Sequence, residues 1–232
     1  MTPRKNMDTD VRGQYEAYPY PPRDPADEAK RLITGSPSNI VEIEHYVFGR
    51  KLAADQPFRA LVAGGGTGDA TIMLASQLAA RGLMAEITHI DISGASLEIA
   101  RARAAARKLD SINFIQASLN DLTELGLEKF DYIDCCGVLH HLPEPAAGLH
   151  SLVAALRPKG GIGLMLYGRL GRTGVYEAQD LLRLIADDLP DTERVETARA
   201  LLDDLPPTNW LKRNSHIGDH HNAGDAGIYD LL

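Results

Sequence analysis

The chain has very little cysteine. Its 232 residues include two, Cys135 and Cys136, which are neighbours in the sequence. Adjacent cysteines cannot join distant segments, so the sequence excludes a fold built on a disulfide framework. Because both thiols lie in an apolar run, we expect a reducing compartment and therefore a cytoplasmic protein.

Long apolar runs and an excess of positive charge are also absent. No apolar stretch approaches the roughly 20 residues that cross a bilayer, and the charged, proline-rich start of the chain does not resemble a signal peptide. Lys and Arg number 24 against 32 Asp and Glu, a net charge of −8. Since nucleic-acid binding depends on clustered Lys and Arg, we do not expect a nucleic acid as a partner. Because no apolar stretch is long enough to cross a bilayer, we do not expect a membrane either.

Between residues 53 and 168 the chain alternates short apolar runs with helical patterns. Strands separated by helices form a parallel sheet with right-handed crossovers, so the pattern predicts a doubly wound α/β layer. The predicted strands cover residues 61–63, 87–90, 112–115, 132–135 and 162–167, and one predicted helix covers residues 69–81. A later helical face collects four apolar residues, Leu149, Leu152, Val153 and Leu156.

The segments on either side of this block have other patterns. Residues 1–52 predict an N-terminal extension and helical cap, because the prolines of YEAYPYPPRDP favour an extended path and a helical face follows. That face consists of Val41, His45, Phe48 and Leu52. Residues 169–232 predict a helical and irregular C-terminal segment, with helices in GVYEAQDLLRLIADDL and DTERVETARALLDDL.

The first predicted strand ends on three consecutive glycines, in FRALVAGGGTGDATIML. Gly64, Gly66 and Gly68 form the pattern G-x-G-x-G, whereas the dinucleotide fingerprint requires a further glycine where Asp69 stands. An acidic side chain at a helix start would also repel a pyrophosphate drawn to that end of the helix. No Gly-Lys-Ser/Thr follows, which excludes a P-loop. The turn therefore suits a nucleoside ligand without phosphates.

An acidic residue ends the second predicted strand. Asp91, in ITHIDIS, lies 23 residues beyond Gly68, and Ser93 behind it has the residue type of a helix N-cap. A carboxylate at this place can accept hydrogen bonds from both hydroxyls of a ribose. The alternative is structural, with the glycines forming a tight strand–helix connection and Asp91 acting as a local cap.

Residues 58–167 resemble the core of class I S-adenosylmethionine-dependent methyltransferases. LVAGGGTGDA is similar to their glycine motif, ITHIDIS to their acidic ribose motif and INFIQASLNDL to their third-strand motif. FDYIDCCGVLHHLPEPAAGLHSLVAALRPKGG is similar to their fourth strand and the helix after it. The resemblance implies a Rossmann-like, mostly parallel sheet with helices on both faces, S-adenosyl-L-methionine as the cofactor, and residues 53–168 as the domain that binds it.

The resemblance also implies a set of cofactor-binding residues. The glycine loop would line the methionine part of the cofactor, Asp91 the ribose and Ile92 the adenine, while the ends of the third and fourth strands would lie at the adenine edge and at the amino-acid end. The residues concerned are Gly64, Gly65, Gly66, Gly68, Asp91, Ile92, Ala117, Ser118, Leu119, Cys135, Cys136 and Gly137. Two positions depart from the family pattern, because Val62 and Ser118 stand where acidic residues are frequent.

The aromatic segment YEAYPYP precedes the core. Similar segments act as lids in relatives, so Tyr15, Tyr18 or Tyr20 would contact the cofactor or the acceptor, with Tyr18 and Tyr20 counted among the cofactor-binding residues. The alternative is a strap that packs on the sheet edge without touching a ligand.

Methyl transfer requires above all that donor and acceptor be aligned, and a base is needed only if the acceptor must lose a proton. His140 and His141, in VLHHLP, follow the fourth strand and are the candidate catalytic residues, the alternative being that they cap the loop or pack structurally. The histidine-rich stretch NSHIGDHHNAGD is more typical of a solvated loop than of a metal site, so no metal is predicted.

The sequence thus predicts a methyltransferase with a small-molecule or protein acceptor. Two rival hypotheses remain, a non-catalytic cofactor-binding interaction or regulatory module and an NAD-dependent oxidoreductase. The family's sheet usually ends with a sixth and a seventh strand, for which residues 168–232 offer no candidates. We therefore expect either a truncated chain or a sheet that another chain completes, and an exposed sheet edge would favour a homo-oligomer.

Overall fold

A computed structural model describes residues 7–231, apart from the side chains of residues 7–10, 219 and 220. Within these residues the chain divides into two compact units. The first comprises residues 7–19 and Arg23–Leu166, and the second comprises Tyr20–Pro22 and residues 167–231. The division of the chain into segments 1–52, 53–168 and 169–232 stays a prediction, and residues 1–6 of it lie outside the described residues.

The first unit is a five-stranded parallel sheet with helices packed on it, in the strand order β3-β2-β1-β4-β5. In chain order its elements are α1 (Met7–Ala17), a 3₁₀ turn (Pro25–Ala29), α2 (Ile40–Glu42) with a π-helical continuation (Ile43–Phe48), β1 (Phe58–Ala63), α3 (Asp69–Ala80), β2 (Ala85–Asp91), α4 (Gly94–Ala106), β3 (Ile112–Gln116), a 3₁₀ turn (Leu119–Asp121), β4 (Phe130–Cys136), a 3₁₀ turn (Leu139–His141), α5 (Pro145–Ala154) and β5 (Leu156–Met165).

The burial of the central strand, β1, explains its apolar sequence. Five of the six residues of β1 are buried, as expected for a parallel strand covered on both faces by helices. Separate apolar clusters lie on the two faces of the sheet. The chain turns from β1 toward β2 on one side and places β4 on the other, so the strand order reverses beside β1. Ligands of open α/β sheets bind at the carboxyl ends of strands at such a point.

The predicted α/β fold class is confirmed, and every predicted strand is present. Within the described residues the sheet has five strands, in agreement with the missing candidates for the last two. β1 begins at Phe58 rather than Leu61, and β4 at Phe130 rather than Tyr132. These extensions reflect pairing with neighbouring strands, which the short apolar runs do not reveal.

The predicted helical face around Leu156 is wrong. Helix α5 ends at Ala154, Leu156 opens β5 opposite Phe130 of β4, and Val153 is 54% exposed. Gly160 and Gly161, which follow Leu156, lie within strand β5. A side-chain carbon added to Gly160 would stand 2.9 Å from the backbone oxygen of Asp131. Pairing with β4 has overridden the local helical periodicity.

The N-terminal expectations also need correction. A helix, α1, runs to Ala17 within the stretch expected to be extended, and the extended path starts only after it. The buried apolar residues of the later helical region are Ile40 and Ile43, whereas Val41 is 55% exposed. The chain changes from α- to π-helical geometry at Ile43. Val41 and His45 of the predicted face are exposed, whereas Phe48 and Leu52 pack against the core as predicted.

The second unit is helical around an apolar core of its own. The two predicted helices are confirmed, and three short helices follow where the sequence shows no strand-like run. In chain order these elements are α6 (Val175–Ala186), α7 (Asp191–Asp204), α8 (Trp210–Arg213), α9 (Asp219–Asn222) and α10 (Gly224–Leu231).

The described residues offer neither a membrane span nor a cluster of metal ligands. None of their helices combines the length and the apolar character needed to span a membrane. They also contain no group of three or more His, Cys, Asp or Glu side chains arranged to hold a metal ion. Part of the histidine-rich stretch, the side chains of Asp219 and His220, lies outside the described residues.

Candidate functional site

The glycine turn lies at the carboxyl end of β1 and is bound to the edge of β2. The amides of Gly64 and Gly65 both donate to the carbonyl of Ile90, at 2.8 and 3.1 Å, and the amide of Gly68 donates to the carbonyl of Gly65 at 2.9 Å. Gly64, Gly66 and Gly68 have φ angles of 69°, 52° and 102°. Residues with side chains rarely adopt this region, so the turn requires glycine for its backbone shape.

At position 65 the loop requires glycine for a different reason, which is the space available for a side chain. Its backbone is not in the left-handed region, but a side-chain carbon added to it would stand 2.4 Å from the imidazole of His89. His89 is fully buried in β2, with its Nδ1 2.8 Å from the hydroxyl of Thr71 and its ring 5.2 Å from that of Phe114. Burial lowers the pKa of His89 to about 3, so the ring is neutral at physiological pH. The neutral ring fills the space beside Gly65 that a side chain would need.

Asp91 joins the loop to the second strand. One carboxylate oxygen accepts the amide of Gly66 at 2.7 Å, and the other accepts the amide of Ser93 at 2.9 Å. Burial raises the pKa of this carboxyl, while the backbone hydrogen bonds oppose the shift. Each carboxylate oxygen keeps a second lone pair, so Asp91 can serve as the local cap and still accept two hydroxyl groups. The two interpretations of Asp91 are therefore compatible.

The ends of β3 and β4 meet the same edge of the sheet. The amide of Ala117 donates to the carbonyl of Asp91 at 3.0 Å, and the hydroxyl of Ser118 accepts the amide of Asn120 at 3.2 Å. On the other side of β1, Cys136 ends β4 and the amide of Gly137 donates to the carbonyl of Met165 at 3.1 Å. Parallel pairing is what gathers these residues from four separate motifs.

Two of the predicted residues can offer a ligand only their backbone. The side chain of Leu119 packs in the core and is 6% exposed, and Cys135 is fully buried in the same cluster. Ile92 lies directly after Asp91, and its carbonyl accepts the side-chain amide of Gln116 at 3.2 Å. The backbone role predicted for Cys135 fits its burial, and the place of Leu119 near the adenine edge stays a prediction.

The candidate catalytic histidines occupy the 3₁₀ turn immediately after β4. The rings of His140 and His141 have centroids 4.3 Å apart, and His141 meets the ring of Tyr15 edge-on at 6.2 Å. The turn is thus at the carboxyl end of the strand beside the glycine loop, where the sequence places it. Their role as a general base stays a prediction.

The N-terminal segment is attached to this edge through Tyr15 and Glu16. The carboxylate of Glu16 accepts the amides of Gly94 and Ala95 at 2.8 and 2.9 Å, which caps helix α4. These two backbone hydrogen bonds lower the pKa of Glu16. The hydroxyl of Ser93 donates to the carbonyl of Tyr15 at 3.0 Å. Glu16 carries no sequence signal, because a capping residue so far from its helix in the chain cannot be recognised.

The three tyrosines of the predicted lid have different places. Tyr15 contacts the histidine turn, whereas Tyr18 ends the first helix by donating its amide to the carbonyl of Gln14 at 2.8 Å. Tyr20 belongs to the second unit. Contact of Tyr18 or Tyr20 with a cofactor stays a prediction.

The donors and acceptors of this edge fit a nucleoside cofactor without phosphates. The loop holds no lysine. Its glycines lie beside the carboxylate of Asp91, which can accept further hydrogen bonds. The expectation that Asp69 repels a pyrophosphate needs correction. Arg23 and Arg103 bind its carboxylate at 2.6 to 2.9 Å and so compensate its charge. Its repulsion of a pyrophosphate is therefore weaker than the sequence implies. The argument against a dinucleotide rests on the missing glycine, and the argument against a P-loop on the missing lysine.

Comparison with known proteins agrees with this geometry. The sequence model of a family described as methyltransferase domain matches residues 61–162. An uncharacterised protein of Synechococcus sp. is 35% identical over 212 residues, covering 88% of this chain and 48% of that protein. A ubiquinone biosynthesis O-methyltransferase of Alkalilimnicola ehrlichii is 28% identical over 125 residues, covering 53% and 49%. The chain spans about half the length of these curated relatives.

Among solved structures, PKMT2 from Rickettsia typhi in complex with AdoHcy has a similar fold. The TM-score is 0.55 at 20% sequence identity, and the match covers 81% of this chain and 35% of that protein. At this identity the likeness is evidence for the fold alone. The region that matches the methyltransferase-domain family, residues 61–162, contains the glycine and Asp91 motifs, so the comparison supports the resemblance to class I S-adenosylmethionine-dependent methyltransferases.

Proposed function

We propose that the chain transfers a methyl group from S-adenosyl-L-methionine to a small-molecule or protein acceptor at the carboxyl ends of β4 and β5. The observation that carries the proposal is the convergence of the glycine loop, Asp91 and the histidine turn on one edge of the sheet. The bound cofactor would supply an electrophilic methyl group, so the protein's task is chiefly alignment.

Different residues of this edge would bind the cofactor, exclude water and accept a proton. The backbone of the glycine loop and the carboxylate of Asp91 would hold and orient the cofactor. Tyr15, placed over the histidine turn, would exclude water from the reacting atoms. If the acceptor is a hydroxyl or another protonated group, His140 or His141 would take its proton. Relatives named ubiquinone biosynthesis O-methyltransferase support a small-molecule acceptor, although their names alone do not transfer a substrate to this chain.

Thermal unfolding tests the cofactor. S-Adenosylhomocysteine at a hundred times its dissociation constant should stabilise the chain by about 2.7 kcal/mol, and NAD at the same concentration should have no effect. Stabilisation by NAD and not by S-adenosylhomocysteine would identify an oxidoreductase instead.

Catalysis needs a separate measurement. Incubation with methyl-labelled cofactor and fractionated cell extract should transfer label to a small molecule or to a protein, and the labelled fraction identifies which. Binding of S-adenosylhomocysteine without transfer to any fraction would support a non-catalytic binding or regulatory module.

The proposal includes no nucleic-acid or membrane partner, and self-association is the further outcome to test. Strand β5 pairs with β4 and with no other strand of the described residues, and Leu164 and Leu166 near its end are 40% and 50% exposed. An open strand edge favours association, so light scattering of the purified chain should decide between monomer and homo-oligomer.

A further inference from the structure

Arg103 is a buried charge that the site described so far does not use. It projects from helix α4, and its side chain is 1% exposed. A buried guanidinium is costly to desolvate unless its hydrogen bonds are made, so its partners indicate what it is there to hold. The first partner is the backbone carbonyl of Thr67, at 2.8 Å, and Thr67 lies between Gly66 and Gly68 in the glycine loop.

Two carboxylates complete the surroundings of Arg103. The same Nη1 that binds Thr67 donates to Asp69, the first residue of α3, at 2.7 Å. Its Nε donates to Glu28 at 2.6 Å, and the side chain of Glu28 is 3% exposed. One guanidinium therefore connects the loop, the start of the following helix and the N-terminal segment.

The N-terminal segment reaches this cluster at a second point. Arg23 donates from Nε and Nη2 to the carboxylate of Asp69, at 2.9 and 2.6 Å. The second oxygen of Glu28 is bound by Arg107. Residues 23–28 thus supply one cation and one anion to a partly buried network that ends on the glycine loop.

We propose that Arg103 is a positioning residue for the glycine loop, and that Glu28 and Arg23 make the N-terminal segment a structural part of the cofactor site. A turn of glycines has no side chains to pack, so its shape depends on the hydrogen bonds made by its backbone. Ile90 and Asp91 hold one side of the loop, and Arg103 holds the carbonyl at its far side. The inference rests on the proposed function, because it assigns the loop to the methionine part of the cofactor.

The test compares two ligands by calorimetry on the whole chain. S-Adenosylhomocysteine would contact both the loop and Asp91, whereas adenosine lacks the amino-acid part that the loop would line. Arg103→Lys keeps the charge but loses the guanidinium fork. We expect its dissociation constant for S-adenosylhomocysteine to rise roughly tenfold to a hundredfold and that for adenosine to change less than about twofold. A general loss of stability would not change the ratio of the two affinities.

Two further variants keep the test decisive if Arg103→Lys does not fold. Glu28→Gln and Arg23→Ala should change the same ratio in the same direction with smaller effects, since each removes one support of the network. The matched control is Asp27→Asn on the same segment, whose partner Lys30 is 73% exposed, and it should leave both affinities unchanged. A lower melting temperature with an unchanged affinity ratio in these variants would overturn the inference. Failure of the wild-type chain to bind S-adenosylhomocysteine would overturn the proposed function and the inference together.

Discussion

The two units of the chain differ in how many charged side chains they bury. In the α/β unit, Arg103, Glu28 and Asp134 are buried and bound to one another or to nearby polar groups. In the helical unit Arg172 is buried, but the nine acidic and three basic side chains of the segment 175–205 are exposed or half-buried. Buried charge costs folding free energy, so its concentration around the glycine loop and the strand edge indicates positions where geometry matters more than stability.

The largest contrast is expected between two glycines. Gly65→Ala drives a methyl group to within 2.4 Å of the buried His89 ring, so the loop or the ring must shift. We expect S-adenosylhomocysteine binding to weaken by more than about a hundredfold, measured by calorimetry. Gly168→Ala is the control in the other unit, because an added methyl meets nothing within 4 Å there. Equal affinities of the two variants would show that the loop does not contact the cofactor.

Asp91→Asn removes the charge that joins the loop to β2 and would accept the ribose hydroxyls. Hydrogen bonds to a charged group contribute about 1.5–3 kcal/mol, so the dissociation constant for adenosine should rise roughly tenfold to a hundredfold. Asp180→Asn, an exposed acidic position in the helical unit, should leave it unchanged. Unlike Arg103→Lys, Asp91→Asn should weaken adenosine and S-adenosylhomocysteine alike, and an adenosine affinity equal to wild type would contradict the ribose assignment.

Asp134 should make the stability of the α/β unit decrease with pH. Burial raises its pKa from 3.8 to about 6, although the Ser38 hydroxyl donates to it. Because the folded state binds the proton more tightly, stability is highest below the unfolded pKa and falls as pH rises from about 4 to 6, by up to about 3 kcal/mol.

Asp134→Asn removes this dependence. Denaturant unfolding should show the variant gaining stability relative to wild type as pH rises from 4 to 6.5, with a constant difference above that range. A difference that does not vary with pH would mean that Asp134 titrates at its ordinary pKa.

Glu44 should have a pH dependence of the opposite sign. Burial acts to raise its pKa, but hydrogen bonds from the Leu52 amide, Arg81 and Lys51 prevail and lower it from 4.5 to about 2. The stability it contributes is present above pH 4.5 and is lost as pH falls toward 2. Since Lys51 is 80% exposed, solvent screening reduces the loss in Glu44→Gln at pH 7 to about 1–2 kcal/mol. An unchanged free energy of unfolding at pH 7 would contradict this account.

The smallest effect is expected at the surface of the helical unit. Arg199 and Asp225 form an ion pair with side chains 47% and 59% exposed. Exposed pairs contribute little, so Arg199→Ala should change the free energy of unfolding by less than about 0.5 kcal/mol. A loss as large as that of Glu44→Gln would remove the contrast between the two units.

Much of the fold and of the candidate edge could be predicted because the signals are local. The apolar run of β1 with the glycines after it is one short motif, and the acidic end of β2 is another. The wrong helical face at Leu156 and the exposed positions of the predicted face at Val41 and His45 arise where strand pairing or a change of helix type overrides the local pattern. Arg103 has a weak signal, since it lies three residues beyond the buried Ala100 on α4, yet nothing in the sequence indicates its partners.

The sequence by itself determined the order of strands and helices, the glycine turn and the carboxylate at the end of β2. These follow from backbone conformation and short-range periodicity, which neighbouring residues decide. Only the tertiary structure decided that Glu16 caps α4, that Tyr15 faces His141, and that Arg103 binds the loop together with Glu28. Glu28 and Arg103 are 75 residues apart in the chain, and only packing of α4 against the N-terminal segment brings them into contact.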